Sequence, residues 1–213
     1  MINAVIFDLD GLLIDTEIVS YKIYKELLKD YGYDFSVKEY TSIYSGKTEV
    51  ENVMTLIENY NLPWTVEQGL NNVFEAENRM IREGITLKAG AKELVSYLKE
   101  KQYKMAIATS STRDRAMSIL NQHDFAKYFD EFVFAEELVN GKPDPEVFIK
   151  ACNKLNDEPE KCLVLEDSEA GIQAACSANI PVICIPDMKT PAREYLDKTR
   201  TVLTSLDKVM ELL

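Results

Sequence analysis

The first predicted strand of the chain ends in two acidic residues, and this feature limits the folds open to it. Residues 4–7 read Ala-Val-Ile-Phe, a continuous apolar run, and Asp8 and Asp10 follow almost at once. Such a run is typical of a strand that is buried on both faces of a parallel sheet. Two carboxylates at the end of a buried strand repel each other and lose hydration. The sequence therefore predicts a cation or a shared proton beside them.

Four further apolar runs lie in the second half of the chain, at residues 105–108, 132–134, 162–165 and 182–185. The stretches between them carry apolar residues at helical spacing, as at Ala116, Ile119 and Leu120. An alternation of strands and helices predicts a doubly wound, Rossmann-like α/β core with a parallel sheet.

One connection is too long for this pattern, because 96 residues separate Phe7 from Lys104. A strand–helix–strand unit needs only about 30 residues, and residues 90–102 already read as its helix. In residues 15–89, apolar residues such as Val50, Val53, Val73 and Phe74 recur at helical spacing. We therefore predict an α/β core of residues 1–14 and 90–213, with residues 15–89 inserted as a helical cap domain.

Composition restricts the partners of the chain. Its 24 basic and 36 acidic residues give a formal net charge of −12, which disfavours nucleic acids and anionic membranes as partners. The four cysteines show no CxxC spacing, and no signal peptide or membrane span is evident. We predict a cytoplasmic protein with reduced cysteines, a monomer or weak homodimer, whose partner is a small molecule.

Polar side chains follow four of the predicted strands, at the point where each strand ends. They are Asp8 and Asp10, then Thr109, Ser110 and Ser111, then Lys142, and finally Glu166 and Asp167. Ligands of open parallel sheets bind beyond the carboxyl ends of the strands, so we expect these side chains to converge.

The chemistry of this set suits a phosphorylated ligand and a metal ion. Carboxylate oxygens are suitable ligands for Mg²⁺, whereas hydroxyls, backbone N–H groups and a lysine suit a phosphate. Together they predict phosphoryl transfer. Asp8 could itself be the nucleophile, and Asp10 is then placed to protonate the leaving oxygen and later to activate water. Each acid could instead be a helix cap or turn residue, and Thr109 could cap the helix that starts near Thr112.

Four motifs, in order, resemble those of the haloacid dehalogenase superfamily, in its β-phosphoglucomutase and phosphoglycolate phosphatase-like subgroup with a helical cap. They are FDLDG, ATSS, GKPDP and LEDS. The resemblance implies that Asp8 is the nucleophile and Asp10 the general acid–base. It implies that Thr109 and the Ser110 amide hold the phosphate, and that Lys142 neutralises Asp8 and phosphate. It further implies that Glu166 and Asp167 hold Mg²⁺ together with Asp8 and the Asp10 carbonyl.

Two residues outside these roles are additional candidates for substrate binding. Ser111 could also contact the phosphate, and Lys47, in the Ser-Gly-Lys-Thr segment of the cap, could reach an anionic group of the substrate. A turn lysine at the surface would look the same in sequence.

The resemblance leaves the reaction open between a phosphatase and a phosphosugar mutase. β-Phosphoglucomutases carry a histidine and an arginine in the cap where this chain has Ser20 and Glu49. A carboxylate would repel a sugar phosphate, so we predict a Mg²⁺-dependent phosphatase acting on a sugar phosphate or a similar small phosphomonoester. A non-catalytic phosphate- or partner-binding module is the alternative of a different class. Such a module would be expected to lose Asp8 or Asp10, and this chain keeps both.

Overall fold

The computed structural model describes residues 2–213 of the chain. Within these residues it divides into two compact units. The α/β unit contains residues 2–15 and 86–213, and the helical unit contains residues 16–85. None of the helices in the described part of the chain is both long and apolar enough to cross a membrane.

The α/β unit is built on a parallel sheet, which has six strands over the described residues, in the order β3-β2-β1-β4-β5-β6. The doubly wound α/β prediction is confirmed. In chain order the strands are β1 (Ala4–Phe7), β2 (Lys104–Ala108), β3 (Glu131–Val133), β4 (Cys162–Glu166), β5 (Val182–Cys184) and β6 (Thr201–Val202). The edge strand β6 was not predicted, because it is only two residues long and half of it is the partly exposed Val202.

Strand β1 lies between β2 and β4, with Phe7 beside Ile107 on one side and Leu165 on the other. All four of its residues are fully buried. Ala4 and Ile6 belong to a core cluster beneath one face of the sheet, and alternation directs Val5 and Phe7 to the other face. An apolar run without alternation was therefore the correct signal for this strand. Its carboxyl end delivers Asp8 to the edge of the sheet.

The helical unit contains α1 (Thr16–Lys29), α2 (Val37–Glu39), α3 (Glu49–Tyr60) and α4 (Val66–Glu83), and a π-helical turn at Tyr40–Tyr44 continues α2. Helices α3 and α4 are each preceded by an N-cap threonine, Thr48 and Thr65. Its side chain forms a capping box with a glutamate or glutamine three residues later. Two orphan N–H groups of each helix are thereby satisfied. These local signals set where both helices start.

Helix α4 packs against α1 and α3. The core of the helical unit is aromatic, with Tyr24, Tyr40 and Tyr44 almost completely buried around Phe35. Of the apolar residues that predicted these helices, Val53 and Val73 are buried, whereas Val50 and Phe74 are 48% and 61% exposed. Helical periodicity therefore identified the helices but did not fully separate their buried from their exposed faces.

Besides four 3₁₀-helical segments, the α/β unit has five α-helices over the described residues. They are α5 (Ala91–Glu100), α6 (Arg113–Gln122), α7 (Glu146–Leu155), α8 (Glu169–Ser177) and α9 (Arg193–Leu196). Helix α6 follows β2 and α8 follows β4, so the amino ends of both helices lie at the sheet edge that carries Asp8. Backbone N–H groups at such ends are suited to anions.

Candidate active site

The predicted polar residues of the α/β unit converge where the loops leave the carboxyl ends of its strands. Asp8 continues β1, and its backbone N–H donates to the Leu165 carbonyl of β4 at 3.1 Å. Thr109 continues β2 in the same way, since its N–H donates to the Val133 carbonyl at 3.1 Å. Backbone hydrogen bonds that extend the sheet thus fix the main chain of both residues, independently of their side chains.

Lys142 links the first and last motifs. Its ammonium donates to Asp8 Oδ1 and to Glu166 Oε1, the latter at 2.6 Å. The three side chains are 7%, 9% and 0% exposed, respectively. Because removal of the cation from a buried ion pair leaves uncompensated negative charge, we expect the stability of this cluster to depend on Lys142. Lys142, which lies in the loop after β3, is therefore both a structural cation and a candidate functional residue.

The contacts within this cluster shift the pKa values of Asp8 and Lys142. Burial raises the pKa of Asp8 to about 7, helped by the neighbouring Glu166 and Asp10 carboxylates and opposed by the Lys142 ammonium. Burial alone would lower the pKa of Lys142, but the Asp8 and Glu166 carboxylates outweigh it and raise that pKa above its ordinary value. Lys142 therefore stays charged, while Asp8 holds its proton to a higher pH than an ordinary aspartate does.

Glu166 is held from both sides. Its Oε2 accepts hydrogen bonds from the backbone N–H groups of Asp167 and Ser168, both at 2.8 Å, and from the Ser168 hydroxyl at 2.9 Å. Its Oε1 accepts from Lys142. The structure thus places Glu166 at the predicted site, with its oxygens engaged in orienting Lys142 and the start of α8.

Space for Glu166 depends on Gly171 in α8. A Cβ on Gly171 would come within 3.0 Å of Glu166 Oε1, Oε2 and Cδ at once. Helix propensity alone would make alanine better than glycine here by about 1 kcal/mol. The steric conflict with the fixed Glu166 carboxylate outweighs this preference, so alanine at position 171 is expected to destabilise the protein.

We expect Gly171→Ala to destabilise the protein by about 1–3 kcal/mol, the usual cost of overpacking a core, and to lower activity because Glu166 and Lys142 must shift together. Urea unfolding and steady-state kinetics measure both effects. Gly141→Ala is the matched control, since a Cβ there meets nothing within 4 Å. A stabilised Gly171→Ala variant with normal kinetics would show that Glu166 can move freely.

Asp10 lies in a separate hydrogen-bonded group with Ser111 and Arg115. Its Oδ2 accepts from the Ser111 hydroxyl at 2.6 Å, and its Oδ1 is 2.7 Å from Arg115 Nη1. The Thr109 hydroxyl accepts the Ser111 N–H at 2.9 Å, which shapes the turn between β2 and α6. Ser110 is exposed at that turn and Thr109 is 1% exposed. The second motif therefore touches Asp10 directly, through Ser111.

Sequence reasoning missed Arg115. It lies in the first turn of α6, where a charged residue is usually solvated, and no residue pattern singles it out. Asp187 was also missed, three residues beyond β5. The rule that located the other residues, a polar side chain just after a strand's carboxyl end, would have found it.

Asp8, Glu166 and Asp167 form an acidic cluster that could hold a metal ion, because one oxygen of each lies within 4.8 Å of the others. Burial raises the pKa of Asp167 well above its ordinary value, and the Glu166, Asp8 and Asp187 carboxylates add to this effect. Gly11, at a φ of +80°, leaves open the space beside Asp167 Oδ2, where a Cβ would come within 3.0 Å. This site offers carboxylate oxygens, an excess of negative charge and, at Gly11, space that a side chain would fill. These properties fit a divalent cation such as Mg²⁺.

Lys47, the remaining candidate, belongs to the helical unit. It follows the π-helical turn, is exposed, and donates its backbone N–H to the Tyr44 carbonyl at 3.2 Å. Its role in binding a substrate stays a prediction.

Known hydrolases and phosphatases resemble the chain over most of its length. A family model described as haloacid dehalogenase-like hydrolase matches residues 5–185. A phosphorylated carbohydrates phosphatase of Thermotoga maritima is 36% identical, with 84% of this chain and 82% of that protein covered. A probable pseudouridine-5'-phosphatase of Drosophila melanogaster is 32% identical, with 94% and 88% covered.

Solved structures share the architecture as well. The crystal structure of a β-phosphoglucomutase from Clostridium difficile has a TM-score of 0.73 and 28% identity, with 98% of this chain and 93% of that chain covered. The fold, the four motifs and the match over most of the sequence lead to one conclusion. The chain belongs to the haloacid dehalogenase-like hydrolases.

Proposed function

We propose that the protein is a Mg²⁺-dependent phosphatase that hydrolyses a sugar phosphate or a similar small phosphomonoester through an aspartyl phosphate. The observation that carries this proposal is the buried contact of Lys142 with Asp8 inside the acidic cluster. A fixed ammonium beside a carboxylate nucleophile offers charge both to the nucleophile and to an incoming phosphate. The curated relatives named above as phosphatases support the same reaction class.

In the first half of the proposed reaction, an oxygen of Asp8 attacks the phosphorus atom and the bond to the leaving oxygen breaks. The Asp10 carboxyl group donates its proton to that oxygen, so the alcohol leaves neutral. Thr109, the Ser110 amide and Lys142 hold the phosphoryl oxygens. Asp8, Asp167 and the Asp10 carbonyl, with Glu166 in the same acidic cluster, would hold Mg²⁺, which would supply positive charge to offset the negative charge of the phosphate and the carboxylates.

In the second half, Asp10 takes a proton from water, and the resulting nucleophile attacks the phosphorus of the aspartyl phosphate. The bond to Asp8 breaks and inorganic phosphate is released, which restores both acids to their starting states. Ser111 and Arg115 hold Asp10 in the structure, and we propose that they orient it for both proton transfers. Glu166 keeps Lys142 in place throughout.

We propose that the helical unit acts as the cap that selects the substrate, with Lys47 as a candidate contact. Glu49 begins α3 and accepts a hydrogen bond from the Tyr24 hydroxyl at 2.7 Å, while Ser20 lies in α1 near the buried Tyr40. A carboxylate and a hydroxyl at these positions suit the hydroxyl groups of a sugar better than a second phosphate. This favours hydrolysis over a mutase reaction, which has to bind a bisphosphate.

The test is an assay with and without Mg²⁺, on β-glucose 1-phosphate and a panel of phosphorylated metabolites, that follows free phosphate and glucose 6-phosphate. A trace of β-glucose 1,6-bisphosphate serves as primer. Mg²⁺-dependent release of phosphate supports the proposal, and the preferred panel member identifies the substrate. Glucose 6-phosphate without free phosphate would mean a mutase. A folded protein that is inactive on the whole panel would point to a binding module.

We expect Mg²⁺ to stabilise the protein more at pH 8 than at pH 5.5. Asp8 has a pKa of about 7 in the folded chain against about 4 for an unfolded aspartate. The metal-free folded state therefore binds the extra proton, and its stability falls as the pH rises from about 4 to 7. Mg²⁺ requires the ionised carboxylates, so it competes with the proton on Asp8 once the pH falls below about 7.

Thermal unfolding at both pH values, with Mg²⁺ and with a chelator, measures this difference. The increase in Tm caused by Mg²⁺ should be several degrees larger at the higher pH. Equal increases at both pH values would contradict the assignment of Asp8 as a metal ligand.

A further inference from the structure

Asp187 forms a buried ion pair that has no part in the reaction described above. Its side chain is 5% exposed, and its Oδ1 accepts from the ammonium of Lys88. The Asp15 carboxylate lies 3.8 Å from the same ammonium. The other oxygen of Asp187, Oδ2, is buried and has no hydrogen-bond partner among the described residues. A buried acceptor without a donor costs about 1–3 kcal/mol, and more when it is charged.

Asp187 Oδ2 lies beside the acidic cluster. It is 3.3 Å from the position that a Cβ on Gly11 would occupy, and Asp167 Oδ2 lies within 3.0 Å of that same position. The separation of the two carboxylate oxygens cannot exceed the sum of these distances. A carboxylate oxygen so close to a second carboxylate is unfavourable unless a donor or a cation lies between them.

We propose that Asp187, positioned by Lys88, belongs to the outer shell of the metal site and accepts a hydrogen bond from a water ligand of the cation. The inference rests on the proposed function, since it requires a cation at Asp8 and Asp167. Mg²⁺ is bound in proteins through one or two carboxylates and keeps several of its waters. A metal-bound water has strongly polarised protons, and carboxylates beyond the direct ligands orient such groups.

Lys88 determines which oxygen of Asp187 faces the metal. The ammonium holds Oδ1 and offsets one negative charge, so Oδ2 is the oxygen left for the cluster. An ion pair that served stability alone would explain the contact of Oδ1. It would leave Oδ2 buried without a donor, which the proposed water supplies.

The test is a calorimetric titration of Mg²⁺ into the metal-free full-length protein, without substrate. We expect Asp187→Asn to weaken Mg²⁺ binding by about 10–100-fold, the usual effect of losing an outer-shell partner. The matched control is Asp157→Asn, because Asp157 is also almost buried, with its side chain 8% exposed and paired with Lys104 at 2.8 Å. Lys104 begins β2, so this pair lies at the amino ends of the strands, and its loss should leave Mg²⁺ binding unchanged.

The variant Lys88→Met tests whether Lys88 affects Mg²⁺ binding by positioning Asp187 or only through its positive charge. Removal of a positive charge near the site should tighten Mg²⁺ binding if only long-range electrostatics matter. It should weaken binding if Lys88 holds Asp187 in place, and weaker binding supports the proposal. Tighter or equal binding in this variant would overturn it, and this comparison decides the matter if Asp187→Asn does not fold.

The titration also separates the two proposals. A wild-type protein that binds no Mg²⁺ would refute the metal site itself and with it the metal-dependent part of the proposed function. Wild-type binding that Asp187→Asn leaves within twofold would keep the proposed function and reject the outer-shell role.

Discussion

Replacing Asp8 with asparagine is expected to lower kcat by at least about three orders of magnitude, the scale seen when a covalent nucleophile is lost. The amide is isosteric with the carboxyl group but cannot form the acyl phosphate. The fold should survive, because burial already raises the pKa of Asp8 and the neutral side chain resembles the form that the interior favours. At pH 8 in the absence of metal, we expect a Tm no lower than that of the wild type.

Phosphate release under saturating Mg²⁺ measures the loss, and thermal unfolding measures the fold. Asp157→Asn, the buried acid paired with Lys104, is the control and should retain wild-type kcat. Residual turnover of Asp8→Asn above about a tenth of the wild-type rate would show that another group attacks the phosphorus, since such a loss corresponds to only about 1.4 kcal/mol of barrier.

Replacing Lys142 with methionine should damage both activity and stability. It leaves the Asp8 and Glu166 carboxylates, which are 9% and 0% exposed, without their shared cation. Loss of one partner from a buried ion pair costs about 3–5 kcal/mol, and we expect an unfolding free energy lower by that amount in the absence of metal. Turnover should fall by at least about 100-fold, because a donor to the phosphoryl oxygens is lost.

Two further variants test whether the loss of stability in Lys142→Met comes from the unpaired buried carboxylates. Glu166→Gln added to Lys142→Met removes one of the stranded charges and should recover part of the lost stability without restoring activity. Lys154→Met removes the ion pair with Glu137 at 2.7 Å, whose side chains are 33% and 29% exposed, and should cost no more than about 1 kcal/mol. If Lys142→Met were as stable as Lys154→Met, the buried cluster would not depend on its cation.

Much of the fold was predictable, because burial on both faces of a parallel sheet requires unbroken apolar runs. Ala4–Phe7 and Cys162–Leu165 are such runs, and both are completely buried. Strand β6 and the exposed face of α4 were not predictable, since a two-residue edge strand has no pattern and Phe74 fits helical spacing while lying 61% exposed.

The candidate site was predictable to the extent that strand ends meet at one edge. This rule predicts from the sequence that Asp8, Thr109, Glu166 and Asp167 lie close together. The rule did not identify Arg115, because this residue lies in the first turn of a helix. It contacts Asp10 only because of the geometry of the loop between β2 and α6.

The amino-acid sequence by itself determined the class of fold, the order of the motifs and the kinds of side chain at the strand ends. These properties depend on local periodicity and on the chemistry of short segments, which neighbouring residues encode. Tertiary structure alone decided which charges neutralise one another. Lys142 meets Asp8 across 134 positions and Lys88 meets Asp187 across 99, and the raised pKa of Asp8 follows from a burial that no local pattern measures.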